Sequence, residues 1–256
     1  MDHSNIILKV DRLYKTFGGV VALCDVSFDI KRNEITAIIG PNGAGKTTAL
    51  NLMTGIYPPT SGKIILEERA ISGLKPFQIA SQGITRTFQN LQIFQNMTVL
   101  ENVMVGLHTQ TKSEFTSCLL HLPRVKKEER LVREEAFTLL RFFNLVDRAD
   151  WLSDGLSYGD QKRLEIARAL AGKPKMILLD EPAAGLNIKE TEEMAELILK
   201  IKEGGTTILL VEHDMNLVMG ISDRIVVLNY GERIFEGTPR QVQMDSNVIE
   251  AYLGRE

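Results

Sequence analysis

The sequence has no long hydrophobic run. Its longest apolar stretches, residues 207–211 and 225–228, fall far short of the roughly 20 residues that a membrane-spanning helix needs. Residues 1–11 contain no basic region followed by an apolar core, so we expect no signal peptide. These absences predict a chain that does not cross a bilayer.

The sequence also has little cysteine and no excess of positive charge. Cys24 and Cys118 are the only cysteines in 256 residues, which excludes a disulfide framework and fits a reducing cytoplasm. The formal net charge is -3 at pH 7, so the chain has no global field to hold nucleic acid or an anionic membrane surface. We expect partners to be recognised locally, with no nucleic acid among them.

The composition is that of a folded globular domain. Hydrophobic residues make up 44% of the chain and charged residues 25%, close to the average for such domains. A length of 256 residues suits one large α/β domain or a domain with a small insert. We therefore expect a single domain over residues 1–256.

The apolar pattern predicts a largely parallel sheet. Five β-branched stretches are apolar at consecutive positions, as expected of strands that helices cover on both faces: 35–39, 84–88, 176–179, 207–211 and 225–228. The short stretches 8–10, 22–23 and 26–30 suggest antiparallel edge strands, with a turn at Gly18 and Gly19. The predicted fold is an α/β core with an antiparallel β annex.

Helical spacing replaces the strand pattern between the core segments. It is seen at Val99, Val103 and Leu107, and again in residues 131–145 and 164–170. We predict a helical subdomain over about 90–171, inserted between core segments 1–89 and 172–256. The charge run 126–133 is interpreted as a solvated helix face and receives no function. A short amphipathic stretch ends the chain.

A phosphate-binding loop is the strongest local signal. It follows a predicted strand, precedes a helical run and matches G-x-x-x-x-G-K-[ST]. Glycines let successive amides face one anion, Lys46 adds a charge, Thr47 can place its hydroxyl on Mg²⁺, and Thr48 is a further candidate phosphate contact. The alternative is a glycine-rich turn that binds nothing. The loop consists of Gly40, Pro41, Asn42, Gly43, Ala44, Gly45, Lys46 and Thr47.

Two carboxylates end the apolar strand at 176–179. Neighbouring side chains at a strand end point in different directions, so Asp180 can hold Mg²⁺ while Glu181 faces an attacking water as a base. An ordinary strand-to-loop transition would also explain two acidic residues. The upstream phosphate loop favours the catalytic interpretation, with hydrolysis of ATP as the predicted chemistry.

A further motif, Leu156, Ser157, Tyr158, Gly159 and Asp160, precedes a helical run. Ser157 and Asp160 alone form a capping box that needs no ligand. Together with Phe17, the phosphate loop, Gln89, Asp180-Glu181 and His213, however, the motif gives the chain a resemblance to the ABC family over essentially its whole length. The five residues 156–160 are similar to the ABC signature.

The resemblance implies a P-loop NTPase core of the RecA-like type and roles for the remaining residues. Phe17 would stack on adenine, Gln89 would sense Mg²⁺ and the γ-phosphate, and His213 would contact the γ-phosphate. The signature would bind ATP held by a second subunit, which implies a head-to-tail dimer. Taken singly, Phe17 could be a packing residue, Gln89 a loop residue and His213 a structural histidine.

Departures from the common ABC pattern narrow the resemblance. Tyr158 and Asp160 replace the usual glycine and glutamine, and Asn187 replaces aspartate after Glu181. With the Phe-Gly-Gly-Val segment at Phe17, the sequence resembles the LivG-type ATP-binding subunits of branched-chain amino acid importers.

This narrower resemblance implies a companion ATP-binding subunit or second copy, two membrane permeases, an extracytoplasmic binding protein and a place on the cytoplasmic face of the membrane. Alternatives are another ABC system such as lipopolysaccharide export, a soluble ABC protein, or a P-loop kinase or GTPase.

Overall fold

The structure, a computed structural model, describes residues 5–107 and 123–253, with only the backbone of 123–128 and of residue 253. The chain forms two compact units, divided between Arg86 and Thr87 and between Pro174 and Lys175. Gln89 thus belongs to the second unit, although the sequence boundary at 89 assigned it to the core. The interpretation of Cys118 and of the side chains of 126–128 lies outside the described residues.

The first unit contains two sheets. The larger has the order β10-β9-β3-β8-β7-β6, with parallel pairing from β9 to β6 and antiparallel pairing of β10 with β9. The smaller is antiparallel, with the order β2-β1-β4-β5. The strands are β1 (Ile6–Phe17), β2 (Val20–Lys31), β3 (Ile35–Ile39), β4 (Ser61–Leu66), β5 (Arg69–Ala70), β6 (Ile84–Arg86), β7 (Met176–Asp180), β8 (Thr207–Val211), β9 (Arg224–Asn229) and β10 (Glu232–Gly237).

The central strands are buried at consecutive positions, as their apolar sequences predicted. Every residue of β3, β7 and β8 is buried, which confirms the prediction of a largely parallel sheet covered on both faces. The strand predicted over 84–88 ends earlier, at Arg86. β4 and β10 were not predicted, because polar residues interrupt their apolar pattern.

The antiparallel annex is also confirmed, with much longer strands than the sequence predicted. β1 and β2 pair across a turn at Gly18, whose φ of +56° suits a residue without a Cβ. Apolar side chains from both sheets, including Leu8, Ile64, Leu178 and Val226, pack in one core with the helix α1 (Lys46–Met53). The core supports the loop that leaves β3.

Helices surround the sheet and fill the second unit. Those of the first unit are α1 (Lys46–Met53), α2 (Pro76–Ser81), α6 (Ile188–Glu203), α7 (Met215–Ile221), α8 (Pro239–Met244) and α9 (Ser246–Leu253). The second unit contains α3 (Val99–Leu107), α4 (Pro123–Phe142) and α5 (Tyr158–Ala171), with 3-10 turns at Val146–Arg148 and Ser153–Gly155. None of the described helices has both the length and the apolar character of a membrane span.

Candidate nucleotide-binding site

The loop between β3 and α1 has a backbone that only glycine allows at two positions. Gly40 has a φ of +153°, and a Cβ there would collide with the carbonyl oxygen of Leu228. Gly45 has a φ of +102°, and its Cβ would lie 2.7 Å from the carbonyl oxygen of Ala22. Close packing against β9 and β2 therefore imposes the tight curl that brings the loop amides together at the start of α1.

Lys46 is buried at the first position of α1. Its Nζ donates hydrogen bonds to the carbonyl oxygens of Gly40, at 2.6 Å, and Pro41, at 3.0 Å. Burial lowers the pKa of Lys46, while the carboxylates of Glu181 and Asp180 act in the opposite direction. The ammonium group is thus held against its own loop, and a phosphate oxygen would be a stronger acceptor than either carbonyl.

Asp180 ends β7 in an ion pair that the sequence did not reveal. The Nη2 atom of Arg86, at the end of β6, donates to Asp180 Oδ2 at 2.7 Å, with exposed side-chain fractions of 5% and 2%. The Nη1 atom of Arg86 donates to Asn51 Oδ1 at 2.6 Å. The arginine thus joins the acidic strand end to α1. In the sequence it lay within the strand predicted over 84–88, so no local pattern marked it as a partner of Asp180.

Replacing Arg86 by methionine tests this ion pair. Because the change leaves a buried carboxylate without its cation, we expect the free energy of unfolding to fall by about 3–5 kcal/mol. Urea denaturation without nucleotide measures it. Arg12→Met is the control, because the Arg12 side chain is 78% exposed and its Nε lies 3.7 Å from Asp11 Oδ1. This change should alter the free energy of unfolding by less than about 0.5 kcal/mol. Equal effects of the two changes would contradict the buried ion pair.

Glu181 and His213 lie together after β7 and β8. His213 Nε2 is 3.0 Å from Glu181 Oε1, and the backbone amide of Glu181 donates to the Val211 carbonyl at 2.8 Å. Glu181 has a φ of +51°. Non-glycine residues rarely adopt a positive φ, and those that do often lie at functional sites. The backbone turn therefore directs the Glu181 carboxylate towards the histidine.

Glu212 binds both the segment after Glu181 and the segment that begins at His213. The sequence did not mark it as a candidate. Its buried carboxylate accepts hydrogen bonds from the amides of Ala183 at 2.7 Å, His213 at 2.9 Å and Asp214 at 3.4 Å. Burial raises the pKa of Glu212, and the three amide bonds counteract that rise. The carboxylate thereby fixes the segment after Glu181 relative to His213. A glutamate directly before His213 was the only signal in the sequence.

Phe17 presents a partly exposed aromatic ring at the end of β1. Phe17 is 42% exposed, and its ring packs edge-to-face on the Tyr57 ring, with centroids 5.2 Å apart. Lys15 Nζ lies 4.8 Å from the Phe17 centroid. Packing and ligand stacking are therefore compatible, because Tyr57 and Lys15 support a ring that remains accessible.

The C-terminal helix contacts the phosphate loop. Burial raises the pKa of the Tyr252 hydroxyl, and a hydrogen bond with the backbone of Gly40 counteracts that rise. Because Gly40 begins the loop, α9 contributes to the surroundings of the phosphate site. Tyr252 lies in the short amphipathic stretch at the end of the chain, for which the sequence predicted no role.

The signature residues lie at the beginning of α5, in the second unit. Ser157 is the N-cap: its Oγ accepts from the Asp160 amide at 3.2 Å and donates to Asp160 Oδ2 at 2.9 Å. Arg148 donates to the same Asp160 oxygen at 2.7 Å. Leu156 and Gly159 are buried, whereas Tyr158 is exposed. Ser157 thus caps α5 as predicted. The second half of the predicted capping box differs, because the Asp160 carboxylate accepts from the Ser157 hydroxyl, whereas a capping box has it accept from the backbone amide of the N-cap residue.

The candidate residues are thus distributed over the two units. Lys46, Asp180, Glu181 and His213 belong to the first unit, as does Phe17. Gln89 and the five signature residues belong to the second. Among the described residues, no cluster of three or more histidine, cysteine or acidic side chains could bind a metal ion alone. An ion held mainly by phosphate oxygens and water needs no such cluster.

Comparison with known proteins identifies the family. The sequence profile described as "ABC transporter" matches residues 23–184, and that described as "Branched-chain amino acid ATP-binding cassette transporter" matches residues 232–256. The chain belongs to the ABC transporter family. It is therefore an ATP-binding cassette ATPase with a P-loop NTPase fold, as the sequence motifs predicted.

Two relatives and two solved structures show how far the similarity extends. The high-affinity branched-chain amino acid transport ATP-binding protein LivG of Salmonella typhimurium is 48% identical over 98% of this chain and 99% of its own. The protein BraF of Pseudomonas aeruginosa, described in the same words, is 45% identical over 98% of this chain and 99% of its own.

Among solved structures, an ATP-binding cassette of an ABC transporter in its ADP conformation has a TM-score of 0.85 and 36% identity, covering 98% of this chain and 99% of that one. A dimeric cassette bound to ADP and phosphate has a TM-score of 0.77 and 29% identity, covering 91% of this chain and 99% of that one. The ABC cassette fold therefore extends over nearly the whole chain.

Proposed function

We propose that this ABC cassette hydrolyses ATP to drive the import of branched-chain amino acids, as a peripheral subunit on the cytoplasmic face of the membrane. The observation that carries the proposal is the 48% identity with LivG over nearly the whole chain. The match of residues 232–256 to a branched-chain amino acid cassette family supports it independently of the general ATPase motifs.

ATP would bind with its phosphates at the loop from Gly40 to Thr48 and its adenine on Phe17. The tight loop backbone and the buried ammonium of Lys46 support this placement. Thr47, Asp180 and Gln89 would hold Mg²⁺, and the buried carboxylate of Asp180 suits an ion that also keeps phosphate and water ligands. When bound, Mg²⁺ would neutralise charge on the β- and γ-phosphates.

Glu181 is the proposed general base. It accepts a proton from water as the water oxygen bonds to the γ-phosphorus, the bond to the β-γ bridging oxygen breaks, and ADP and phosphate result. His213 would contact the γ-phosphate, and its Nε2 lies 3.0 Å from Glu181 Oε1. Glu212 supports both residues by accepting hydrogen bonds from the amide of Ala183, two residues after Glu181, and from the amide of His213 itself.

The signature at Leu156, Ser157, Tyr158, Gly159 and Asp160 would contact the γ-phosphate bound by a second subunit. The N-terminus of α5 carries partial positive charge, which suits a phosphate. One solved relative is a dimer bound to ADP and phosphate, which supports pairing of two cassettes; a head-to-tail arrangement would bring each signature to the other subunit's ATP. The partner would be a companion ATP-binding subunit or a second copy of this chain.

Two permeases and an extracytoplasmic binding protein would complete the importer. The amino acid would pass through the permeases, and ATP-driven closing and reopening of the ATPase dimer would supply the motion. Selectivity would then reside outside this chain. Its own contribution would be the timing of ATP binding and hydrolysis.

Reconstitution in vesicles tests the proposal. The chain, its companion ATPase and the two permeases are inserted together, and uptake of leucine, isoleucine and valine is measured with the binding protein present. We expect ATP-dependent uptake of these amino acids and little uptake of lysine or glutamate. A complex carrying Lys46→Ala is the control. Uptake of another solute class, with none of the three amino acids transported, would contradict the proposed substrate.

A further inference from the structure

A buried carboxylate on the signature helix contacts the loop that carries Gln89. Glu165, on α5, is 2% exposed. Its Oε1 atom accepts a hydrogen bond from the amide of Phe88 at 3.3 Å and another from the amide of Gln92 at 3.1 Å. One carboxylate oxygen thus binds the loop on both sides of Gln89.

Two basic residues of the same helix contact the carbonyl groups of that loop. Lys162, which is 1% exposed, donates from Nζ to the Gln89 carbonyl at 3.4 Å. Arg168 donates from Nη2 to the Gln92 carbonyl. Because residues 162, 165 and 168 are spaced three apart, they lie along one side of α5. Side chains of the helix therefore form hydrogen bonds with both amide and carbonyl groups of the loop backbone.

The same helix begins at the signature. Ser157 caps α5, and Glu165 lies two turns further along it. All of these contacts lie within the second unit. The loop of Gln89 and the signature are consequently attached to one helix, and a displacement of α5 moves both of them.

We propose that Glu165 is a positioning residue of the ATPase, which holds the backbone of residues 88–92 and thereby sets the orientation of Gln89. The proposal rests on the metal- and phosphate-sensing role proposed for Gln89. Glu165 would act through the backbone amides of Phe88 and Gln92. Losing its acceptor would leave two amides without their partner and allow the loop to shift.

Three variants of Glu165 test the proposal in the complete transporter complex. Glu165→Met fills the space but accepts no strong hydrogen bond, so we expect kcat to fall by about 10–100-fold and the Mg²⁺ concentration for half-maximal activity to rise. Glu165→Gln retains a carbonyl oxygen at the position of Oε1 and should keep activity within about threefold of wild type. Glu165→Asp, with its carboxylate drawn back, should show the defect even if Glu165→Met fails to fold.

A matched control separates positioning from general stability. Asn102 is a fully buried polar residue of the same unit, and it binds the backbone of Phe94 instead of residues 88–92. Asn102→Leu should lower the melting temperature without changing the Mg²⁺ dependence. The same shift in Mg²⁺ dependence for Asn102→Leu and Glu165→Met would overturn the proposal, because both changes would then act through stability.

A double-mutant cycle connects the effect to Gln89. If Glu165 acts through this residue, the combination of Glu165→Met with Gln89→Ala should be no slower than Gln89→Ala alone. Additive losses would refute the positioning role while leaving the role of Gln89 intact. A Gln89→Ala enzyme with normal kcat and normal Mg²⁺ dependence would instead remove the proposed function of Gln89, and the role of Glu165 with it.

Discussion

Glu181→Gln is expected to lower kcat for ATP hydrolysis by about 10²–10⁴-fold while ATP still binds. Glutamine retains the volume of the side chain but cannot take a proton from water. It should tolerate the backbone φ of +51° as glutamate does, so little extra strain is expected. Turnover is measured by phosphate release and binding by the fluorescence of a labelled nucleotide.

The control for this substitution is Glu193→Gln. Glu193 lies on α6 and forms a solvent-exposed pair with Lys189 at 3.9 Å. This change removes one carboxylate and so alters the net charge by the same amount as Glu181→Gln. It should leave kcat within about twofold of wild type, because exposed pairs contribute little. Wild-type turnover by Glu181→Gln would exclude Glu181 as the base and make His213 the next candidate.

Mixing two inactive variants is expected to restore activity. Lys46→Ala damages the phosphate loop in the first unit, and Ser157→Arg blocks the signature in the second. Each homodimer then has two defective sites. In a mixed dimer, one site carries both defects and the other has an intact loop and an intact signature. With half the dimers mixed and independent sites, activity should approach about a quarter of wild type under two-fold symmetry.

Several measurements make this experiment decisive. Ser157→Arg also removes an N-cap, worth about 0.5–2 kcal/mol, so melting curves must show that the variant is folded. Ser157→Asn keeps a capping oxygen, so any activity that this variant loses cannot be due to a missing cap. If wild-type chains pair only with the companion subunit, that subunit carries the signature change. Absence of recovery in dimers shown to be mixed would refute a shared site.

The central strands could be predicted from the sequence because their burial is continuous. The predicted ranges 35–39 and 207–211 coincide with β3 and β8, in which every residue is buried. β10 was missed because glutamate and arginine interrupt its apolar residues at the sheet edge. Short-range periodicity identifies an element only when burial imposes one pattern on the whole element.

The side-chain partners at the candidate site could not be predicted in the same way. Arg86 and Asp180 are 94 residues apart in sequence, and their ion pair exists because β6 and β7 are neighbours in the sheet. Glu212 and Ala183 are 29 residues apart and meet because β7 adjoins β8. No local spacing contains this information, since strand order depends on how the whole core packs.

The sequence by itself determined the phosphate loop, the capped signature helix and the parallel core, because each depends on residues close in sequence or on continuous burial. Only the tertiary structure decided which groups surround the acidic strand end. It placed Arg86 on Asp180 and His213 beside Glu181. Backbone geometry and helix capping depend on residues within a few positions of one another. The partner of a buried charge depends instead on which strand lies beside it in the sheet.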